Sequence, residues 1–496
     1  MRTVSPAKLD LSHLTPNDRA VYRCRSAFEF KDRGDYDAAQ AIMRPLWKRI
    51  GVRPDTAGLL PSVVAEVLFC VGVLTGWVGS RNEIKEADEW ARDLLTESSR
   101  FYESISDAKT LAEIRSELAV CYWRAGALDE SRIMFTEALE TLTAEGNSRA
   151  YALLGLSIVE WSASRYKKSL KLLTDNLPLF KKIKSPTLKG TYHNQVAMVL
   201  RKLATPDNKA AQLRRVLHEY EEADSYLKLA RNTIGRAHVQ NNIGNVLRDL
   251  GHYVEALEYL DHARRLTVNV RDRVRTAQVD ETRAQVFIAQ QNYIEAERAA
   301  GFAVRSFEKA GRQCLLTDAL ITQGIALARL RQTERARFTF QKAIEVAHQA
   351  GALNRAGLAA LTMIEEIDQL PSETVAVAYT QATEWLADSQ SEDLRTRFET
   401  VGKKLALAGM QKTKPAPEIL YNKSLYLPDE VLKFERELIS TALARVNGSP
   451  THAAKLLGVS YQRLGYILET RHKDLLKERT PVRRRSPKDT KGGKSS

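Results

Sequence analysis

NNIGNVLRDLGHYVEALEYLDHA, running from Asn241 to Ala263, sets small and bulky apolar residues at helical spacing on either side of a single break. Gly244 and Leu247 share one helical face, Gly251 interrupts it, and Tyr253, Ala256, Leu260 and Ala263 resume on a second. Spacings of three, four and seven residues put such positions on one side of an α-helix, and a glycine between two periodic runs marks a turn. The small residues let two helices cross closely, which leaves the aromatic and Leu side chains to pack on something else. The stretch reads as a helical hairpin whose apolar face needs a neighbour.

The same frame returns 40 residues on as Ala284, Phe287, Tyr293, Ala296, Ala300 and Ala303, and again as Gly324, Leu327, Thr333, Ala336, Phe340 and Ala343. This pattern resembles the tetratricopeptide repeat, whose usual period is about 34 residues. The longer period implies helices extended by nearly a turn each. Weaker copies surround Ala27, Phe30, Gly34, Tyr36, Ala39 and Met43, then Ala119, Tyr122, Gly126, Leu128, Phe135 and Ala138, then Leu156, Tyr166, Ser169 and Leu173. Another pairs the apolar run Leu59 to Val78 with a helix after Ile84 and Ala87. A further copy joins Tyr192–Leu203 to Tyr220, Ala223, Leu227 and Ala230 across an insertion that Pro206 and Asp207 mark as a turn. A last pair, Leu353–Asp368 and Glu373–Ala387, is divided by Pro371-Ser372. The expected fold is all-α: about nine hairpins stacked as a tetratricopeptide-type α-solenoid, followed by a small helix-turn-helix domain. The resemblance implies a right-handed superhelix with a concave binding groove lined by the first helix of each hairpin.

In that frame the groove receives Asn194, Arg201 and Lys202, then Asn241, Asn245 and Arg248, then Glu281 and Gln285. Amide and guanidinium groups in adjacent turns suit the backbone or carboxylate of an extended peptide; Asn residues at these places equally serve as bonds between neighbouring helices. Trp123, Tyr151, Ile158 and Trp161 make the earlier copies more apolar, which suits an apolar partner segment.

Ser391 to Ala408 reads as one more amphipathic helix. Pro415, Pro417 and Pro428 then break any continuous helix and read as a linker. Beyond it, Ala453, Ala454, Leu457, Gly458, Val459, Leu464 and Ile467 fall where a helix-turn-helix needs small or apolar residues, with Leu457, Val459, Leu464 and Ile467 as the buried seam. Gly458 supplies a left-handed turn. The second helix is left with an outward face of Ser460, Tyr461, Gln462, Arg463 and Tyr466, which suits phosphates and base edges in a major groove. Glu435, Arg436, Ile439, Ala442, Leu443, Asn447-Gly448, Ala453-Ala454, Leu457-Gly458-Val459-Ser460, Leu464 and Leu468 together resemble the Fis-type helix-turn-helix of bacterial regulators. The match covers about a tenth of the chain. Gln462, Gly465 and Ile467, and Asn447-Gly448-Ser449 in place of Gly-Asn, depart from the family, so its base preference is not carried over. Gly465 inside a helix costs ~1 kcal/mol relative to Ala.

These boundaries give an N-terminal extension (1–14), the solenoid (15–408), a linker (409–427), the helix-turn-helix (428–478) and a basic tail (479–496). The net charge of +14 and pI near 9.4 favour an acidic partner. From Arg471 to Ser496 ten Lys or Arg stand against three acidic residues, a net +7 and half of the total, whereas residues 418–470 carry six of each sign. Electrostatic affinity for DNA is therefore expected from the tail, where Arg483, Arg484 and Arg485 can follow a phosphate backbone or enter a minor groove.

Four dispersed cysteines, Cys24, Cys70, Cys121 and Cys314, have neither CxxC nor zinc spacing and suit buried thiols in a reducing, cytoplasmic compartment. The start lacks the apolar core of a signal peptide. In Leu59–Val78, Pro61 and Glu66 leave only Val67 to Val78 uncharged, too short a span for a bilayer, so no membrane association is expected. No HExxH, Cys/His cluster or GxSxG occurs, and the closing GGKSS lacks the earlier glycine, strand and helix of a phosphate-binding loop. Neither a cofactor, a metal nor an enzymatic role is expected. His238, His252 and His262 read as solvated surface residues.

The sequence thus points to a DNA-binding regulator whose repeats receive a protein, peptide or small ligand. Ser460 caps the recognition helix, Tyr461, Gln462 and Tyr466 face base edges, and Arg463 with Lys455 holds the backbone. One such helix reaches a half-site, so a homodimer is the expected binding form. The alternative is an interaction scaffold whose C-terminal module docks protein.

Overall fold

From Arg231 to Gly351, short turns of one repeated backbone shape divide the chain into antiparallel helices. The computed structural model describes residues 11–386 except 12, 83, 85, 206, 207 and 369, together with 396–403 and 427–478. Residues 409–426 of the linker expected over 409–427, and the tail over 479–496 with Arg483, Arg484 and Arg485, lie outside the described residues, while Leu427 begins a helix.

The first pairs are α1 (Pro16–Asp32) with α2 (Tyr36–Met43), α3 (Pro61–Asn82) with α4 (Ala87–Ser104), and α5 (Ala108–Arg124) with α6 (Leu128–Thr141). Next come α7 (Asn147–Ser162) with α8 (Tyr166–Asp175), a short α9 (Leu177–Lys182), then α10 (Pro186–Lys202) with α11 (Lys209–Leu229). The most regular copies are α12 (Thr233–Asp249) with α13 (Tyr253–Asn269), α14 (Arg273–Ala289) with α15 (Tyr293–Lys309), and α16 (Gln313–Arg329) with α17 (Thr333–Gln349). Helices α18 (Leu353–Glu366) and α19 (Ser372–Trp385) make the ninth hairpin among the described residues. Of the further helix expected after Ser391, residues 396–403 are described as α20.

The turns explain the long period. Arg231, Gly251, Arg271, Gln291, Gly311, Arg331 and Gly351 all take positive φ, one every 20 residues. Each closes a helix by a Schellman pattern: Gly251 N–H donates to the Arg248 carbonyl at 3.0 Å and His252 N–H to the Leu247 carbonyl at 2.8 Å. The residue that follows starts the next helix, and Asn232, Asp272 and Asn292 cap it with their own side chains. Helices of 17 residues with three-residue turns give the period. Each such helix is roughly 25 Å long.

Packing follows the small-residue frame. Ala256, Ala263, Ala296, Ala300, Ala336 and Ala343 are fully buried where helices cross. A Cβ on Gly244 would come within 2.6 Å of Leu260, and one on Gly324 within 2.8 Å of the Phe340 ring. Leu260 and Phe340 are wholly buried over those glycines, and each such side chain contributes about 1.5–3 kcal/mol. Apolar clusters run from hairpin to hairpin with no single centre, as a stack of units each stabilised by its neighbours requires.

Helix α3 is long and apolar enough to cross a membrane, but most of it is buried. It is longer than the twelve-residue run read from sequence, because Pro61 starts it and Glu66 stays within it. Cys24, Cys70 and Cys121 are buried, whereas Cys314, near the start of α16, is exposed, contrary to the sequence expectation.

The superhelix also contacts itself across its turn. The Thr187 hydroxyl and the Asn232 amide both donate to the Asp32 carbonyl, at 2.9 and 3.2 Å, and Arg312 donates to the Arg81 carbonyl at 2.8 Å. The first two hairpins are thereby tied to the fifth, sixth and eighth.

A separate compact unit lies in residues 406–496. It comprises α21 (Leu427–Arg445), α22 (Pro450–Leu456), α23 (Tyr461–Thr470) and a closing 3-10 helix, Lys473–Glu478.

Candidate functional site

In the C-terminal unit, Asn447, Gly448 and Gly458 have positive φ and make the two turns that fold α21, α22 and α23 over one another. Ile439, Leu443, Ala453, Ala454, Leu464, Leu468 and Leu475 form the buried centre, and Leu457, Val459 and Ile467 are only partly buried at its edge. The sequence-read seam was thus right at Leu464 and placed the other three too deep. Ala453 and Ala454 bring α22 against its neighbours without a bulky side chain.

Ser460 caps α23, its hydroxyl accepting from Arg463 N–H at 3.2 Å. That cap fixes the first turn of α23, from which Tyr461, Gln462 and Arg463 reach solvent, with Tyr466 one turn on. Tyr461 is 48% and Tyr466 65% exposed. Neither aromatic side chain belongs to the apolar cluster at the centre of the unit. Lys455, on α22, is exposed as well.

A polar clamp ties α21 to the segment that follows α23. Glu435 on α21 faces buried His472 at 2.9 Å and accepts from Arg471 at 3.3 Å, while Arg436 donates to Asp474 at 2.7 Å. The Arg436 bond holds the Asp474 carboxyl below its ordinary range. Glu435 and Arg436 were read only as motif letters, and His472 drew no notice in the sequence.

In the solenoid, α12, α14 and α16 wall a polar cavity of about 260 Å³. Asn241, Asn245, Glu281 and Gln285 line it, as the repeat frame placed them, together with His238, Arg275 and Asp318. The Asn241 Oδ1 is buried without a hydrogen bond. Gln285 Nε2 and the Thr322 hydroxyl donate to Glu281 at 2.5 and 2.8 Å. Burial nevertheless lifts the Glu281 carboxyl above its usual range, and burial lifts Asp318 against the pull of Arg355. His238 is reached by solvent yet ringed by protein; burial first and Arg275 second lower its pKa.

Residues 431–469 match the family described as bacterial regulatory protein, Fis family. The C-terminal unit is a Fis-type helix-turn-helix. No curated protein matches the chain in sequence. Among solved structures, the solenoid is similar to a STAND-class signal transduction ATPase with a tetratricopeptide repeat sensor from Pyrococcus horikoshii, at 12% identity and a TM-score of 0.52. That overlay covers 76% of this chain and 55% of the other, so the chain spans about half the length of its counterpart. The likeness is one of fold: a tetratricopeptide-type solenoid. A Rap protein complexed with competence and sporulation factor overlays at 13% identity and TM-score 0.46, covering 69% of this chain and 98% of the other. A tetratricopeptide repeat protein from Parabacteroides merdae gives 15% and 0.39, covering 59% and 98%.

Around the Fis-type unit and the solenoid, the sequence-read residues divide. Ser460, Tyr461, Gln462, Arg463 and Tyr466 share one exposed face of the helix-turn-helix. Of the groove set, Asn241, Asn245 and Gln285 come together, but Asn194, Arg201, Lys202 and Arg248 are not among the residues lining that cavity. Arg201 and Arg248 instead both reach Asp249 at 2.8 Å, and Arg248 also donates to Gln285, so two of the guanidiniums tie α10, α12 and α14 together. Asn194 directs its amide at the Met198 sulfur, 3.5 Å away, and Lys202 is exposed. His238 and Arg275 were missed because their significance comes from facing each other across two repeats.

Proposed function

We propose that this chain is a DNA-binding transcriptional regulator in which the solenoid receives a ligand or protein and the Fis-type unit reads DNA. The observation that carries the reading is the exposed face of α23. A capped helix displays Tyr461, Gln462, Arg463 and Tyr466 on a helix-turn-helix whose buried centre is filled by Leu464 and Leu468 from the opposite face of the same helix. In this reading Gln462, Tyr461 and Tyr466 contact base edges, and Arg463, Lys455 and Ser460 hold phosphates.

A gel-shift titration with fragmented genomic DNA tests it. Gln462→Ala and Tyr466→Ala should lose about 1–3 kcal/mol of preference for the captured sequences. Undiminished binding by both variants would sink the assignment.

One helix reads one half-site, so the binding form is a homodimer. Val431, Phe434 and Leu438 recur at i, i+3 and i+7 on α21 and are 57, 65 and 46% exposed, a stripe suited to its own copy in a second chain. Phe434→Glu should leave the protein monomeric in sedimentation and weaken binding to paired half-sites more than to a single one. The scaffold reading draws on the same stripe as a dock for another protein. A wild-type chain that shifts no DNA, with a Phe434→Glu variant that keeps its oligomeric state, would favour it. The solenoid has no enzymatic part in this proposal.

A further inference from the structure

A second cavity, about 510 Å³, lies inside the first superhelical turn. Helices α1, α3, α5, α7 and α10 supply its walls, and the Thr187 and Asn232 bonds to the Asp32 carbonyl close them around it. The volume falls in the range of small-molecule sites, roughly 300–1,000 Å³. An opening bridged in this way does not take a folded domain.

Its chemistry is specific. Phe28, Phe69, Trp77, Trp123 and Tyr151 present rings to it. One polar atom among these residues, Trp77 Nε1, is buried without a hydrogen bond, while the buried Tyr151 hydroxyl has the Glu117 carboxylate as its neighbour. A buried polar group costs free energy unless something pairs with it. Burial and nearby Glu117 raise the Tyr151 pKa and keep its phenol protonated.

The charges are unbalanced. Asp32, Glu113 and Glu117 line the cavity against Lys31, a formal −2 in a chain of +14. Lys31 sits 3.7 Å from both Glu117 and Asp32. Its ammonium also lies 5.6 Å from the Phe28 ring centre and 5.7 Å from that of Tyr151, so these ring faces already hold a cation. Glu113 accepts from the Ser148 hydroxyl at 2.5 Å and has exposed Lys109 at 4.0 Å. Arg124, stacked on Trp77, is matched by Asp88 at 3.4 Å.

We propose that this cavity binds a small organic cation with a ring-sized apolar body and a hydrogen-bonding group. The ring lies among the aromatic side chains, the polar group meets the Trp77 N–H or the Tyr151 hydroxyl, and the ammonium faces Glu113 and Glu117. An anion of the same shape is excluded by the net charge. The inference rests on the solenoid alone, so it stands or falls apart from the DNA-binding proposal.

Three probes of one shape test it by calorimetry on the full chain: tyramine, the neutral tyrosol, and the anionic 3-(4-hydroxyphenyl)propionate. Tyramine should bind at least about tenfold tighter than tyrosol, with the propionate weakest. That preference should collapse in Glu113→Gln and in Glu117→Gln, with thermal unfolding of each variant recorded beside the binding. Glu113→Gln, at the less buried carboxylate, serves if Glu117→Gln does not fold. Equal affinity for the three probes, a preference unchanged in a folded variant, or no binding of tyramine at millimolar concentration would overturn the proposal.

Discussion

The Asn232 side-chain amide donates to the Asp32 carbonyl, 3.2 Å away and 200 residues earlier, while its Oδ1 accepts from Gly235 N–H at 2.8 Å. One side chain therefore caps α12 and fastens the first hairpin to the sixth. A linear stack of repeats frays from its ends, because each end hairpin has one neighbour instead of two. Here the first hairpin gains a second.

Substituting Asn232 separates the two roles. Asn232→Asp keeps the capping oxygen and removes the donor; Asn232→Ala removes both and should cost about 1–2 kcal/mol. Amide exchange should speed up in α1 and α2 for both variants, but around Gly235 mainly for the Ala variant. Unchanged exchange in α1 and α2 would show that the contact fastens nothing.

The left-handed turn residues make a second test. Arg271 and Gln291 have φ of 54° and 61°, a region where a side chain is strained and glycine is not. Arg271→Gly and Gln291→Gly should each stabilise by a few tenths to about 1 kcal/mol, since glycine's extra unfolded-state freedom offsets part of the relief. Gly251→Arg should do the reverse. Urea midpoints measure all three.

Those turns show what was legible in the chain. The 40-residue period stood out because Gly244, Ala284 and Gly324 must be small to let helices cross, and that need is local in sequence. The 20-residue backbone period stayed hidden, since Arg231, Arg271, Gln291 and Arg331 occupy glycine-like turns with no compositional mark. In the Fis-type unit the exposed face of α23 was readable because apolar spacing fixes what is buried, leaving Tyr461 and Tyr466 outside. The fate of Arg201 and Arg248 was not, because Arg201 meets Asp249 only once α10 and α12 are side by side, and Arg248 meets Gln285 only once α12 and α14 are. The same holds for the 510 Å³ cavity: its five walls come from five hairpins.

Gly465 tests the recognition helix directly. A Cβ there would meet nothing within 4 Å, so the only consequence of adding one is backbone restriction in favour of helix. Gly465→Ala should stabilise the Fis-type unit by ~1 kcal/mol and leave DNA selectivity as it is. A loss of DNA affinity in a protein with a raised unfolding midpoint would mean that the glycine makes room for the DNA itself.

Stability should fall on mild acidification. His238 is lowered by burial and Arg275, and His262 by burial, then Arg236 and Arg265. Between these lowered values and about 6.5, the unfolded chain binds more protons than the folded one, so this contribution is present above that window and is lost as pH drops through it. Glu281 and Asp318 act oppositely: their carboxyls are raised, so the folded protein holds those protons longer and is weakened as pH rises through the raised values. Comparing unfolding midpoints at pH 7.5 and 5.5, His238→Gln with His262→Gln should shrink the acid-side loss. Glu281→Gln should lessen the fall in stability that sets in as pH rises above the ordinary carboxylate range. If both variants track the wild type, these groups do not couple to folding.

The basic tail gives the last test. Residues 480–496 hold six Lys or Arg and one acidic residue, whereas residues 418–470 are balanced, so most of the salt-sensitive attraction to DNA should reside in residues 480–496. Each phosphate contact contributes about 0.9 to the slope of log K against log salt. Deleting Thr480–Ser496 should therefore weaken binding at low salt and flatten that slope, while the ranking of DNA sequences, set by α23, stays the same. A truncated protein with the full slope would place the electrostatic contacts within the helix-turn-helix, on Lys455 and Arg463. One that keeps its slope but loses its ranking would reverse the division of labour between tail and helix.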